Sequence, residues 1–411
     1  MDDVSLMLVV VSGLILLGAA GEIIFAKTRI PDPIWLVGAG ILLGPVFEVV
    51  PAQLLQPAIP YFGAIALTVI LAGGAYRLQL TEVASAAPRG LLLGTVGFAF
   101  SLAGVCVFLW AGIQTGWIRD ATVLHWLLVG GIVGGTSALV IMPTVAGGQV
   151  ESRVARTLEV ESSATDALCV VVTMALLDLL VHGSTGVADP VLTLIRRSAS
   201  AWSPGVTWSI LMIPFYAAMR ERFQSYTLLI ASMFLLYALT TWWQGNGAMA
   251  VLISALLLGN ASTIVPRLIP GAHPHAFIPS ASGVTMQQQL TFLVKAFFFV
   301  IIGLMFPDDT RSIVIGVLAG ATLLVFRIPA VALSVGGLGF SFKQKALLMV
   351  AAPRGLAAGV LATLPFQHNI PGMESLAGIV FSTIVTTIVL FAVGFALVAR
   401  LPEPPPSDAA G

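Results

Sequence analysis

The 411 residues carry 58% hydrophobic and only 9% charged side chains, with mean hydropathy +1.00, far outside the range of a soluble chain of two or three domains. Lys plus Arg and Asp plus Glu balance at 19 each, so no excess of charge points to nucleic acid or to an acidic partner. The composition is that of an all-α polytopic membrane protein, in which Cys106 and Cys169 fall inside apolar runs as small hydrophobes.

Residues 5–26 lack a basic leader and a small-residue cleavage site, so they read as a retained first helix. Further spans are predicted near 33–50, 59–78, 88–114, 122–145, 158–182, 204–219, 225–243, 247–265, 286–306, 311–337, 344–365 and 375–400, about thirteen transmembrane helices in all. An odd number places the termini on opposite sides. With the N-terminus outside, twelve Lys and Arg fall in inside loops and four, Arg119, Arg196, Arg197 and Arg311, outside, which puts the C-terminus in the cytoplasm. Lys295, Arg327 and Arg354 fall within spans. The stretch 183–203 reads as an amphipathic segment in the interface. Residues 266–285 hold four prolines with His273 and His275 and read as an inside linker; two histidines without a further ligand do not make a metal site. Residues 1–400 therefore form one transmembrane domain, and 401–411 a short Pro-rich cytoplasmic tail.

Two spans are interrupted. GGIVGGTS at 130–137 and PRGLAAG at 353–359 place Gly and Pro at mid-span, where freed backbone groups are tolerated only against protein or a watery cavity. One interruption in each half is the pattern of inverted repeats whose site lies where two broken helices cross.

The span 158–182 carries Glu161, Ser162, Ser163, Thr165 and Asp166 in its first half. A carboxylate in the hydrocarbon layer costs roughly 2.5–3.5 kcal/mol even on lenient insertion scales, and is kept for transport, a proton relay or an internal ion pair. Asp166 is the candidate carrier, a group that binds either a proton or a cation but not both; the alternative is a structural ion pair. Ser162 lies one helical turn before it on the same face. Thr136 and Ser137, at the first interruption, offer hydroxyls and freed carbonyls, and hard monovalent cations favour such oxygen ligands. Glu161, about 500° round the helix from Asp166, points partly away from it. Lys295 lies near a third of the way into its span, where its stem can snorkel, so an anchoring or packing role is expected. Asp178 and His182 sit near the outside end of the same helix, and Trp202, Trp208, Trp242 and Trp243 fit interfacial belts.

The string Glu161-Ser162-Ser163-Ala164-Thr165-Asp166 resembles the E-S-x-x-N-D motif of the cation/proton antiporter superfamily, closest to its sodium/proton exchanger branch. RIPDPIWLVGAGILLGP at 29–45, LTVILAGG at 67–74, GGTSALVIMP at 134–143, FFFVIIGL at 297–304, Arg327 in VFRIPAVAL and PRGLAAGVLATLP at 353–365 are similar to further family segments, in the family's order. The departures are Ala72 where the pattern has Glu, Ser137 where it has Asp, and Thr165 before the essential aspartate.

The resemblance implies inverted repeats with two crossing broken helices, a core bundle including 88–182 and 286–365, and remaining helices that form a scaffold and a homodimer in the cell membrane. It implies exchange of Na⁺ or K⁺ for protons at Asp166, with Ser162, Thr136, Ser137 and Thr165 around the ion, and a pairing of Glu161 with Arg327, of structural or direct importance. Arg354 would compensate half-helix ends or gate the cavity. One titrating carboxylate exchanging one proton for one cation implies electroneutral 1:1 exchange. The rival is a cation-coupled symporter of a small organic anion with Arg354 or Arg327 as counter-charge. No enzyme motif, cofactor or transition metal is expected, and the partners are membrane lipid, the monovalent cation and the proton.

Overall fold

The computed structural model describes residues 3–28, 30–50, 59–77, 88–116, 122–147, 150–182, 202–215, 225–268, 281–336, 339–368, 370, 373 and 375–401. His273, His275, most of the segment 183–203 and the tail beyond Leu401 lie outside them. Every regular element among the described residues is helical. In chain order these are α1 (Asp3–Thr28), α2 (Asp32–Ile41) continued by a π-helical turn (Leu42–Val46), α3 (Ile59–Arg77), α4 (Pro88–Gln114), α5 (Val123–Val133), α6 (Ala138–Gly147) and α7 (Ser152–His182). Then follow α8 (202–215), α9 (Ser225–Trp242), α10 (Gly247–Gly259), α11 (Ala261–Leu268), α12 (Ala281–Leu304), α13 (Thr310–Val335), α14 (Phe342–Val350), α15 (Leu356–Gln367) and α16 (Leu376–Ala399).

Seven segments among these are long and apolar enough to cross a membrane, and five shorter apolar helices accompany them. The two glycine- and proline-rich spans are each split into half-helices, α5 with α6 and α14 with α15. The predicted span 158–182 begins six residues earlier, at Ser152. The span 247–265 is also divided, at Asn260, whose side-chain amide folds back onto the carbonyl of Leu256 at 2.8 Å.

Two sets of packed helices are apparent. In one, α4 lies against α7 and α13, α13 against α16, and the half-helices α5 and α15 against α7 and α16. In the other, α1, α2 and α12 pack together, as do α3, α9 and α10. The half-helix α15 also packs on α3 and α12, which joins the two sets. Close approach rests on small residues, as expected where no hydrophobic drive separates helix from lipid. A Cβ on Gly316 of α13 would overlap Ser382 of α16, and one on Gly90 of α4 would sit 2.8 Å from Val160 of α7.

Trp202, Trp242 and Trp243 are exposed, the last two stacked with ring centroids 6.2 Å apart. Trp208 differs, because its indole N–H is buried.

Candidate functional site

The chain between α5 and α6, residues 134–137, and that between α14 and α15, residues 351–355, are non-helical and fully buried. Each break should leave backbone donors and acceptors unpaired, at a depth where every such group needs a partner. The partners are side chains of the helices packed around the breaks and, for Ser137, the backbone of the opposite break. In the first break Gly135 N–H donates to Cys169 Sγ at 3.0 Å and Thr136 N–H to Thr165 Oγ1 at 3.1 Å, both acceptors on α7. Ser137 N–H donates to the carbonyl of Pro353 in the second break at 2.9 Å. In the second break Arg354 N–H donates to Thr387 Oγ1 of α16 at 3.0 Å.

The carbonyls are taken by two arginines. Arg354, 1% exposed, donates to Gly135 O at 2.9 Å and to Ser101 Oγ of α4 at 3.0 Å. It thus places a positive charge at the C-terminal end of α5, where the helix dipole is negative. Arg327 of α13 donates to Leu348 O at 3.0 Å and to Ala351 O at 3.2 Å. Its remaining donors meet Glu161 of α7, Nη2 reaching Oε2 at 2.7 Å and Nη1 contacting Oε1 in a two-pronged pair. Bidentate pairing of this kind is the strong form of an Arg–carboxylate contact. Glu161 is 0% and Arg327 4% exposed, so the two charges are withdrawn from water together.

Close approach explains two of the glycines. A Cβ on Gly135 would lie 2.7 Å from Cys169 Sγ and 2.9 Å from the carbonyl of Thr165, and one on Gly355 would overlap Ser137 Oγ. Only glycine lets the first break lie flat on α7 and the second cross over Ser137.

Against this frame α7 turns three polar residues, Glu161, Ser162 and Thr165, towards the first break. Thr136 Oγ1 lies 3.3 Å from Glu161 Oε1, 3.2 Å from Ser162 Oγ and 3.4 Å from Thr165 Oγ1. Thr165 Oγ1 accepts from Thr136 N–H and donates to Ser162 O at 3.2 Å, so its hydroxyl is committed to backbone. Asp166 follows next on the helix. It is partly exposed where Glu161, Ser162 and Thr165 are buried. Among the described residues its carboxylate makes no hydrogen bond or ion pair. Glu161 and Arg327 neutralise each other, and Asp166 is left with its carboxylate open, one helical turn beyond Ser162 on the same helix.

Ala72 is buried in α3, which packs on α7, and offers no oxygen there. Asp178, further along α7, is partly buried. No group of three His, Cys, Asp or Glu able to hold a metal ion occurs among the described residues.

Of the anchoring and packing roles expected for Lys295, the structure agrees with packing and not with a snorkelling stem. Lys295 is 8% exposed and its Nζ lies 2.5 Å from Asp32 Oδ2, a pair formed between α12 and α2. A snorkelling lysine needs a path to water, and this one is enclosed with its counter-ion. Asp32 was not singled out from the sequence. The available signal was a carboxylate flanked by Pro31 and Pro33 immediately before a strongly apolar helix.

Comparison with known proteins places these features in context. The family model described as sodium/hydrogen exchanger, transmembrane, matches residues 12–400. The K(+)/H(+) antiporter NhaP2 of Shewanella sp. (strain ANA-3) is 26% identical over 364 residues, which are 84% of this chain and 59% of that protein. The Na(+)/H(+) antiporter 1 of Methanocaldococcus jannaschii is 26% identical over 85% of this chain and 80% of its own length. The chain thus spans about three-fifths of the length of the NhaP2 relatives it matches. The solved structure of the sodium proton antiporter MjNhaP1 from Methanocaldococcus jannaschii at pH 8 superposes with a TM-score of 0.77 at 23% identity, over 96% of this chain and 98% of that one, so the two share a fold.

Proposed function

Because the chain belongs to the sodium/hydrogen exchanger family, we propose that it exchanges a monovalent cation for protons across a membrane by alternating access, with Asp166 as the group loaded by one or the other. The observation that carries this reading is the accounting of charge in the core: Glu161 and Arg327 are paired, Arg354 is tied to neutral acceptors, and the Asp166 carboxylate stays open and partly exposed, next in the chain to Thr165, which holds the first break. Ser162 and Thr136 supply further oxygen ligands, Ser137 and Thr165 shape the ion's surroundings from the crossing, and Glu161, Arg327 and Arg354 hold the frame.

The complete topology is thirteen spans with the N-terminus outside, in inverted repeats. The succession of long helix, broken helix, long helix in both α4–α7 and α13–α16 supports the repeat. In operation the set holding both breaks moves against the set formed by α1–α3, α9, α10 and α12, and carries Asp166 past the barrier. Relative to the core bundle expected at 88–182 and 286–365, this division adds α16 and removes α12, a choice supported by the packing of α12 on α1 and α2 and of α16 on α13 and α15. The second set mediates a homodimer in the cell membrane. One exchanging carboxylate makes the cycle electroneutral, one cation for one proton. K⁺ is favoured over Na⁺ by the missing carboxylates at positions 72 and 137, and the printed name of the NhaP2 relatives agrees. The names of these relatives favour exchange over symport of an organic anion.

The test is the fluorescence of a pH-sensitive dye in proteoliposomes on addition of Na⁺, K⁺ or Li⁺, for wild type and Asp166→Asn. A cation-dependent proton flux that disappears in the variant is expected and names the ion. A wild type silent to all three cations, or a variant with undiminished flux, would overturn the assignment.

A further inference from the structure

The Asp32–Lys295 ion pair lies on α2 and α12, outside the cluster around Asp166, and nothing in the exchange cycle above uses it. Both residues are buried, at 3% and 8% exposure. Buried charges of this kind are costly, and their best-attested purpose is to specify a register or a switch.

The surroundings favour register. Further along the same two helices, Gly40 and Gly303 bring the backbones into contact: a Cβ on either would lie 2.8 Å from the Cα of the other. Asp32 to Gly40 and Lys295 to Gly303 are each eight residues, about 12 Å of helix. The helices therefore run parallel, held by an ion pair at one level and by a bare backbone contact some two turns on. A glycine seam allows close approach but has little to resist sliding along the axis. A pair of opposite charges does resist it, since a slip of one turn, about 5.4 Å, parts them. On an adjoining face α12 forms part of the wall against which α15 rests, with Phe298 and Ile302 2.8 and 2.9 Å from where a Cβ of Gly359 would be. Axial slip of α12 would displace that wall under the half-helix.

We propose that Asp32 and Lys295 are positioning residues, a register pin that fixes α12 against α2 and thereby sets the surface over which the broken-helix bundle moves. The transport part of this inference rests on the exchanger reading, whereas the register part does not.

The experiment compares wild type, Lys295→Arg and the neutral pair Asp32→Asn with Lys295→Met, which strands no charge. Register is read in membranes by cross-linking Leu36→Cys with Phe299→Cys, each four residues beyond its member of the pair, with a short bis-thiol reagent in a Cys106→Ser background that keeps the buried Cys169, the chain with native Leu36 and Phe299 serving as the blank. Transport is read as turnover and half-saturating cation concentration. The neutral pair is expected to lose the cross-link and to lose turnover by about tenfold, within the coupling found for contacting residues, at unchanged half-saturation. Lys295→Arg is expected to keep both. A neutral pair that keeps the cross-link overturns the pin, whatever its turnover. A lost cross-link with wild-type turnover overturns the transport role. Failure of the neutral pair to fold also overturns it, since a register pin is dispensable for insertion. Absence of exchange in the wild type would sink the exchanger reading and leave the cross-link to decide the pin.

Discussion

The backbone N–H of Ser137 donates to the carbonyl oxygen of Pro353 at 2.9 Å, joining the break in one interrupted helix to the break in the other. Neither break is self-sufficient. Each satisfies its freed backbone groups through α7, α13, α16 or the opposite break, so a change at any of these contacts should be felt at the crossing.

Gly355→Ala should be a severe change for one added methyl group, because the new Cβ overlaps Ser137 Oγ. Overpacking of a dense interior costs about 1–3 kcal/mol, and here it also forces the breaks apart. Melting in detergent should fall accordingly and exchange should be lost. Ser137→Gly in the same chain should recover part of both. No recovery would locate the clash elsewhere.

Arg327→Met strands the Glu161 carboxylate in a site that is 0% exposed, and breaking a buried pair from one side costs about 3–5 kcal/mol. The double variant with Glu161→Gln should regain part of that loss. It should not regain all, because Leu348 O and Ala351 O still lose the donors that Arg327 gave them. A double-mutant cycle on thermal unfolding checks this, and additive losses would mean that the two side chains act independently.

Thr165→Val separates two readings of a residue beside the carrier. Its hydroxyl accepts from Thr136 N–H and donates to Ser162 O, so its removal leaves a buried donor unsatisfied, at about 1–3 kcal/mol. The expected result is a lower melting temperature and slower turnover with little change in half-saturating cation concentration. A weakened cation affinity at unchanged stability would instead make Thr165 an ion ligand.

Asp309 caps α13, its carboxylate accepting from Ser312 N–H at 2.8 Å. Slight burial acts to raise its pKa, but the N–H and hydroxyl of Ser312, its own N–H and the Arg311 charge outweigh that, and the carboxyl is held below the usual carboxylate range. A depressed carboxylate contributes stability above the pKa of the unfolded chain, and that contribution is lost as pH falls through the folded value. Asp309→Ala should therefore cost about 1 kcal/mol at neutral pH, as lost N-caps do. The gap from wild type should close on acidification below about pH 4. A gap independent of pH would exclude the charged cap.

The sequence by itself determined where the helices lie and where two of them break. Apolar runs of membrane length leave few alternatives to helix, and clustered Gly and Pro at 130–137 and 353–359 are costly inside one unless the chain is meant to open there. It also marked Asp166, because a carboxylate in such a run needs a reason. Only the tertiary structure decided which polar groups are occupied and which are open. Ser162 and Thr165 look equivalent in the string Glu161–Asp166, yet Thr165 is consumed by the backbone of a break 29 residues away. Arg354 finds its acceptors on Gly135 and Ser101, more than 200 positions distant. Lys295 reads as a snorkelling anchor until α2 brings Asp32 to it from the far end of the chain. Hydropathy is a local sum along the sequence, whereas the partner of a buried charge is set by which helices touch and at what register. That information resides in the packing.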